Sequence, residues 1–225
     1  MKSYRTRAIV LRRTNYGEAD RILQLLTPEG KRSVMARGVR REKSKIASGI
    51  ELFSVSEIVI IEGKGNLGTL RSARPVQFYS RIIEDYDRLQ FGYLAIKLTS
   101  NASEMVDEPG WYDILLEIFM GLNAESIPMI LVEAWFYVRY AALLGHELNL
   151  RSDIEGSKLS EDAKYRYDAS EQGLRRTEKG EIGSEHIKLL RLISTKQLKV
   201  LAQIGGVEDL LDDCLHVAQE HAAVG

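Results

Sequence analysis

The chain has 225 residues, of which 44% are hydrophobic and 28% are charged, and this composition excludes a largely disordered protein. It suits a globular chain with one or two small cored domains. The only cysteine, Cys214, excludes an internal disulfide framework and a cysteine-based zinc site, and it fits a reducing compartment. Neither a secretory signal nor a membrane span is expected, because the apolar residues 8–11 run into Arg12 and residues 129–138 contain Glu133.

The net charge of −1 is divided unevenly along the chain. Residues 1–80 contain 16 Lys/Arg and 7 Asp/Glu, a net charge of +9, whereas residues 81–225 contain 15 and 25, a net charge of −10. This asymmetry predicts two units with different partners, the first of which suits a polyanion. The alternative is that the two halves attract and neutralise each other.

Five short β-strands are predicted in the first 80 residues. They are apolar runs separated by turn residues such as Pro28 and Gly30. The runs are residues 7–12, 20–26, 32–37, 53–61 and 67–78. Five strands of this length without a long helix between them indicate a small antiparallel barrel, for which an OB-fold is the leading candidate.

From residue 79 onward the pattern becomes helical. Apolar spacing predicts helices over residues 82–98, 111–122, 128–144, from 184 onward, and 207–222. The polar stretch at residues 151–183 contains a potential hairpin, formed by residues 164–168 and 173–176. We therefore predict an α+β protein: an OB-fold barrel in residues 1–79, then a helical domain in residues 80–225 with a polar insert at residues 151–183.

Aromatic side chains are predicted to pack the core of the helical domain. They are Trp111, Trp135, Phe136, Tyr137 and Tyr140. The alternative is that they line a groove between helices that receives a hydrophobic or acidic-hydrophobic peptide.

A basic cluster is the strongest chemical signal in the sequence. A loop rich in Arg, Lys, Gly and Ser between barrel strands can follow a phosphate backbone and release its counterions, with little preference for base sequence. The predicted main phosphate contacts are Arg37, Arg40, Arg41, Lys43 and Lys45, and the secondary ones are Arg12, Arg13, Arg21 and Lys31. The candidates for base stacking are Tyr4, Tyr16, Phe53 and Phe78. The alternative is an ordinary solvated loop.

No enzyme, cofactor or metal site is predicted. Residues 63–68 fit G-x-G-x-x-G, but the residues that follow read as extended, so a hairpin loop is expected instead of a dinucleotide site. His216 and His221 are five residues apart and do not share a helical face, so surface histidines are expected. Adjacent carboxylates such as Asp212 and Asp213 diverge on a helix and do not form an acid–base pair.

The N-terminal part of the chain resembles RecO, a family of bacterial DNA repair and recombination mediators. The matching segments are AIVLR (8–12), YGEADRIL (16–23), LTPEGK (26–31), ARGVRR (36–41) followed by KS (43–44), and LLGHELNL (143–150). The resemblance implies an OB-fold that binds single- and double-stranded DNA, a helical C-terminal domain, and annealing of complementary strands. It also implies contact with the acidic tail of the single-strand binding protein, cooperation with RecR in loading RecA, and a cytoplasmic location at the nucleoid during repair.

One departure from the family concerns zinc. Many members place four cysteines after the leucine-rich segment and bind zinc there, whereas residues 151–176 contain none. The resemblance therefore implies a zinc-free variant. Two other functions remain open, because neither the fold nor the charge of a barrel identifies its ligand. One is a general single-strand or RNA-binding OB-fold protein. The other is a protein-only adaptor whose basic loop docks an acidic partner.

Overall fold

The computed structural model describes residues 2–63 and 65–223. The chain divides into two compact units, Met1–Asn123 and Ala124–Gly225. The first unit therefore contains the predicted barrel together with the helices that follow it directly. The boundary predicted after residue 79 falls between the last barrel strand and the first helix, and a separate domain at residues 1–79 remains a proposal.

Five strands form a closed barrel in the first unit. They are β1 (Ser3–Tyr16), β2 (Asp20–Thr27), β3 (Gly30–Ala36), β4 (Ser54–Ile61) and β5 (Leu67–Phe78). Their order around the barrel is β1-β2-β3-β5-β4, in which β3 and β5 run parallel and the other pairs are antiparallel. A five-stranded barrel of this kind is an OB-fold, so the predicted fold class is confirmed.

Strand alternation separates the barrel interior from its outer surface. The interior cluster includes Ala8, Val10, Leu23, Leu25 and Val34, all almost fully buried. The intervening residues of β1, Ile9 and Leu11, point outward but are also buried. A shift of the β1–β2 register between Val10 and Arg12 marks a β-bulge, beyond which the two strands continue as a hairpin to Tyr16.

Three helices complete the first unit: α1 (Ser80–Glu84), α2 (Tyr86–Met105) and α3 (Gly110–Asn123). The prediction of one continuous helix over residues 82–98 is wrong, because the helix is interrupted at Asp85. That residue has an extended backbone, with φ −120° and ψ 128°, and its carboxylate accepts a hydrogen bond from the Arg88 amide at 3.0 Å. Asp85 is therefore the N-cap of α2.

Gly92 allows α2 to approach an aromatic cluster closely. The Phe53 ring lies 5.1 Å from Tyr93 and 5.6 Å from Phe119 between centroids. A Cβ at Gly92 would lie 2.8 Å from Cε1 of Phe53 and 3.2 Å from Cγ2 of Ile82. Packing thus requires a glycine at position 92, although glycine has a low helix propensity.

The Gly92→Ala substitution is expected to lower the free energy of unfolding by about 1–2 kcal/mol, because overpacking exceeds the gain of about 1 kcal/mol in helix propensity. Urea denaturation measures the change. Gly205→Ala is the matched control, since no heavy atom lies within 4 Å of its added Cβ, and it is expected to shift stability by less than about 0.5 kcal/mol. A Gly92→Ala variant as stable as the native chain would contradict the packing argument.

The second unit consists of helices and one small hairpin. Its elements are α4 (Met129–Leu143), β6 (Tyr165–Asp168), β7 (Gly173–Arg176), α5 (Ser184–Thr195), α6 (Leu198–Leu201) and α7 (Leu211–Ala222). The predicted hairpin is confirmed. Of the aromatic residues predicted to be in a core, Trp135, Phe136 and Tyr140 are buried in this unit, Trp111 is buried in the first unit, and Tyr137 is half-buried.

The polar insert has a buried core of its own, formed by the side chains of Tyr165, Tyr167, Leu174 and Ile182. The Tyr165 hydroxyl accepts a hydrogen bond from the Ser160 amide at 2.8 Å. The insert, which lacks the cysteines that bind zinc in many family members, thus contains hydrophobic packing and a partly buried hydrogen bond.

His221 joins this insert to α7. It is only 2% exposed, so the prediction of a surface histidine is wrong for His221, although His216 is exposed. Its Nε2 lies 2.8 Å from the His146 carbonyl oxygen, and its Nδ1 lies 2.7 Å from the Tyr167 hydroxyl. A carbonyl only accepts hydrogen bonds, so Nε2 carries the hydrogen and Nδ1 accepts from Tyr167.

Candidate nucleic-acid interface

Two segments of the first unit form the candidate interface: the tip of the β1–β2 hairpin and residues 37–45, which we call the basic loop. The Asp20 carboxylate accepts a hydrogen bond from the Gly38 amide at 2.7 Å. The Ala19 carbonyl accepts from the Arg40 amide at 2.9 Å, and the Gly17 carbonyl accepts from the Arg40 guanidinium at 3.2 Å. These bonds hold the basic loop against the hairpin tip, so the two segments form one surface.

Sequence reasoning did not single out Asp20. Two signals point to it: its place in the RecO-like segment YGEADRIL (16–23), and its position after the Gly17 turn at the first residue of β2. Its carboxylate binds a backbone amide of the basic loop and thereby positions the cations without contacting any of them.

The backbone of the basic loop is anchored to the barrel, whereas its charged side chains are exposed to solvent. Val39 is 4% exposed and belongs to the barrel core, and Ile46 packs against the same core just after the loop. The loop contains five cations and one acid, Glu42, a net charge of +4. All five predicted main contacts are exposed, namely Arg37, Arg40, Arg41, Lys43 and Lys45.

Arg13 and Arg21 are half-buried on the hairpin. Arg13 lies opposite Leu23, and Arg21 lies opposite Asn15, so both are on the face that continues the barrel interior. The Arg13 guanidinium forms an ion pair with Glu51 at 2.8 Å, and Nε of Arg21 donates to the Asn15 side chain at 3.1 Å. These two arginines therefore offer less free charge than the basic loop does.

Arg12 and Lys31 lie on the other face, toward α2. Lys31 Nζ is 2.5 Å from a Glu104 carboxylate oxygen and 3.1 Å from the Ser100 carbonyl oxygen, and its side chain is 16% exposed. The hydrogen bond from Lys31 and its charge hold the pKa of Glu104 below its ordinary value, and the charge of Arg12 adds to this effect. Because Lys31 already links β3 to α2, we leave it out of the proposed contact set. Arg12 is exposed and stays in that set.

The four aromatic candidates for base stacking differ in exposure. Tyr16 is 55% exposed beside the hairpin tip, and Phe78 is 45% exposed at the end of β5. Tyr4 packs partly buried against the barrel core. Phe53 is 2% exposed inside the aromatic cluster, so its prediction as a stacking residue is wrong.

An open cleft of about 730 Å³ lies beside the start of β3 and the loop that joins β4 to β5. Its charged lining residues are Lys31, Arg32, Glu62 and Glu104, which balance one another. Gly63, Gly65, Asn66 and Gly68 of the G-x-G-x-x-G segment also line this cleft, whereas Lys64 lies outside the described part. Strand β5 begins at Leu67, so the segment leads into a strand and the predicted hairpin loop is confirmed.

Neither a metal-binding group nor a membrane-spanning helix is found among the described residues. Across residues 2–63 and 65–223, no three His, Cys, Asp or Glu side chains are grouped in a way that would hold a metal ion. Within the same residues, none of the helices combines the length and apolar character needed to cross a membrane.

The barrel topology and the exposed cations together define a class: an OB-fold protein with a basic surface, extended by a helical unit. The family described as "Recombination protein O N terminal" matches residues 1–79, and "Recombination protein O C terminal" matches residues 83–218. The chain therefore belongs to the RecO family.

Several curated relatives are named DNA repair protein RecO. The one from Heliobacterium modesticaldum is 37% identical over 157 residues, covering 68% of this chain and 56% of the relative. The one from Roseiflexus sp. (strain RS-1) is 36% identical over 122 residues, covering 54% of this chain and 43% of the relative. In these two matches the aligned region spans about half the length of the curated relative.

Proposed function

We propose that this protein is a non-enzymatic recombination mediator in DNA repair. It binds single- and double-stranded DNA through the basic loop and the hairpin tip, and it anneals complementary strands. The observation that supports this function best is the set of five exposed cations on a loop whose backbone is bound to the hairpin tip and the barrel core. Membership in the RecO family supports DNA as the polyanion.

The binding mechanism is electrostatic. Arginine and lysine side chains that neutralise phosphates release condensed counterions, and the affinity therefore falls as salt rises. The main contacts are those of the basic loop, and Arg12, Arg13 and Arg21 contribute at its margin. Annealing requires no bond to be made or broken, since the cations only reduce the repulsion between two phosphate backbones. No catalytic residue or cofactor enters this mechanism.

The proposal includes protein partners, which only the family membership supports. The helical unit contacts the acidic tail of the single-strand binding protein, and the protein acts with RecR to load RecA in the bacterial cytoplasm.

Annealing of complementary DNA coated with single-strand binding protein tests the proposed function. We expect the native chain to accelerate annealing at least about tenfold over the coated strands alone. Binding without annealing would instead indicate a general single-strand or RNA-binding protein. No affinity for nucleic acid would indicate a protein-only adaptor.

A further inference from the structure

A second group of arginines lies on the outer surface of the barrel. We call Arg5 and Arg7 of β1 together with Arg71 and Arg74 of β5 the outer arginine face. Glu57 of β4 lies between the two strands, opposite both Arg7 and Arg74. Because directly paired residues share a face of the sheet, Arg7, Glu57 and Arg74 form one row, and Arg5 lies two residues along the same face.

A β-bulge brings Arg71 into this group. Val59 pairs with Ser72 and Ile60 pairs with Leu70, so Arg71 is the extra residue between the two pairs. It is exposed, as are the other three arginines. The strand alternation of Arg5 and Arg7 was visible in the sequence, but their proximity to β5 depends on the barrel register.

The outer arginine face retains positive charge after its internal ion pairs are counted. The guanidinium groups of Arg5 and Arg74 lie 3.6 and 3.5 Å from the same Glu57 oxygen, while their side chains remain 69% and 77% exposed. Arg5 and Arg74 therefore share the single carboxylate of Glu57. Arg7 also acts electrostatically on the Tyr112 hydroxyl of α3, as do Asp113 and Glu29.

The β1 arginines of the outer arginine face are separated along the strand from Arg12. Along β1, Arg5 and Arg7 precede the outward-pointing but buried Ile9 and Leu11, and Arg12 follows them. At about 3.3 Å per residue, Arg7 and Arg12 are about 16 Å apart along the strand. A buried apolar strip thus separates the two groups of β1 cations, Arg5 and Arg7 on one side and Arg12 on the other.

We propose that the outer arginine face binds the phosphate backbone of a second DNA strand while the basic loop holds the first. This inference rests on the proposed function and adds a second site to it. Arginine binds phosphate through two parallel hydrogen bonds, and the excess charge of the face complements a polyanion. Ser72 and the half-buried Val59 lie between the arginines, and Val76, two residues beyond Arg74, is an exposed apolar side chain at the margin of the face.

The outer arginine face gives annealing a physical basis. Two phosphate backbones repel each other, and a protein with one positive surface screens only the strand that it holds. A second positive surface on the same unit screens the incoming strand as well and raises its local concentration. The face is therefore needed for annealing but not for binding a single short strand.

The double substitution Arg71→Ala/Arg74→Ala tests this inference. Binding of one short labelled oligonucleotide is expected to change by less than about twofold, because the basic loop is intact. Removing two phosphate contacts is expected to weaken binding of a second oligonucleotide about 25-fold at about 0.1 M salt, from a slope of about 0.7 per contact. The annealing rate is expected to fall about tenfold.

Two controls make the result interpretable. Glu57→Gln removes the carboxylate and is expected to raise the annealing rate. Lys196→Ala/Lys199→Ala removes equal charge from exposed positions of the second unit and is expected to leave annealing unchanged. If the native chain anneals DNA and Arg71→Ala/Arg74→Ala anneals equally fast, this inference is overturned while the proposed function stands. If the native chain binds no DNA, the proposed function itself fails.

Discussion

Replacing Arg40 and Arg41 together with alanine is expected to weaken binding to single-stranded DNA about 25-fold at about 0.1 M salt. Both side chains are exposed on the basic loop, and each is assigned one phosphate contact. The slope of log affinity against log salt should become shallower by about 1.4 for single strands and about 1.8 for duplex DNA. Fluorescence anisotropy of a labelled oligonucleotide at several salt concentrations measures both quantities.

The control for this experiment is Lys196→Ala/Lys199→Ala, which should leave affinity and slope unchanged. Arg40 also donates to the Gly17 carbonyl through its side chain, so the backbone bond from its amide to Ala19 must be shown to survive. Hydrogen exchange of the backbone amide at position 40 in the double variant reports on that bond. An unchanged salt slope in a folded double variant would contradict the assignment of these arginines as phosphate contacts.

Replacing His221 with alanine is expected to lower the free energy of unfolding by about 3–5 kcal/mol. The change leaves a cavity, and it removes the partners of the buried Tyr167 hydroxyl and the His146 carbonyl. Tyr167→Phe removes only the hydroxyl and is expected to lower the free energy of unfolding by about 1–3 kcal/mol. Urea unfolding with and without a metal chelator measures these values, and the chelator is expected to have no effect.

The pH dependence of unfolding gives an independent check on His221. Burial lowers the pKa of this histidine, because the charged imidazolium loses solvation. The unfolded chain then takes up a proton at higher pH than the folded chain does. The contribution of His221 to stability is therefore fully present above the ordinary histidine pKa of about 6.5 and is lost as pH falls below that value.

His221→Ala is expected to make stability less dependent on pH in this range, whereas His216→Ala, at an exposed position, is expected to change it little. Equal stability of Tyr167→Phe and the native chain would contradict the proposed hydrogen-bonded link. So would an unaltered pH profile in His221→Ala.

The barrel was predictable because its signals are local. Apolar runs of six to twelve residues, bounded by Pro28, Gly30 and other turn residues, mark strands wherever one face is buried. The ends of those strands were less predictable. Strand β1 extends from Ser3 to Tyr16, well beyond the predicted residues 7–12, because its polar ends pair with β4 at one end and β2 at the other.

The exposed cations of the basic loop were also predictable, since a dense run of like charge is rarely buried. The position of Lys31 was not. Its ammonium binds Glu104, 73 residues away in the sequence, and no local pattern indicates that pairing. Local patterns also do not predict the outer arginine face, because Arg7 and Arg74 are neighbours only through their shared pairing with Glu57 of β4.

His221 illustrates the same limit in the second unit. Five residues from His216, it lacks the spacing of a metal-ligand pair, and that reasoning treated it as a surface residue. Its burial depends on Tyr167, 54 residues earlier in the chain. Loss of the family's cysteines predicted that zinc is absent, but it did not predict that a tyrosine–histidine hydrogen bond would join the insert to α7.

Lysine footprinting of the native chain with and without single-stranded DNA tests the location of the interface most directly. Acetylation of Lys43 and Lys45, measured by mass spectrometry, is expected to fall when DNA is bound. Lys196 and Lys199 are expected to react equally in both states, and Lys31 to react weakly in both because its ammonium is bound to Glu104 and Ser100. Undiminished labelling of Lys43 and Lys45 in saturating DNA would contradict the placement of the first strand on the basic loop.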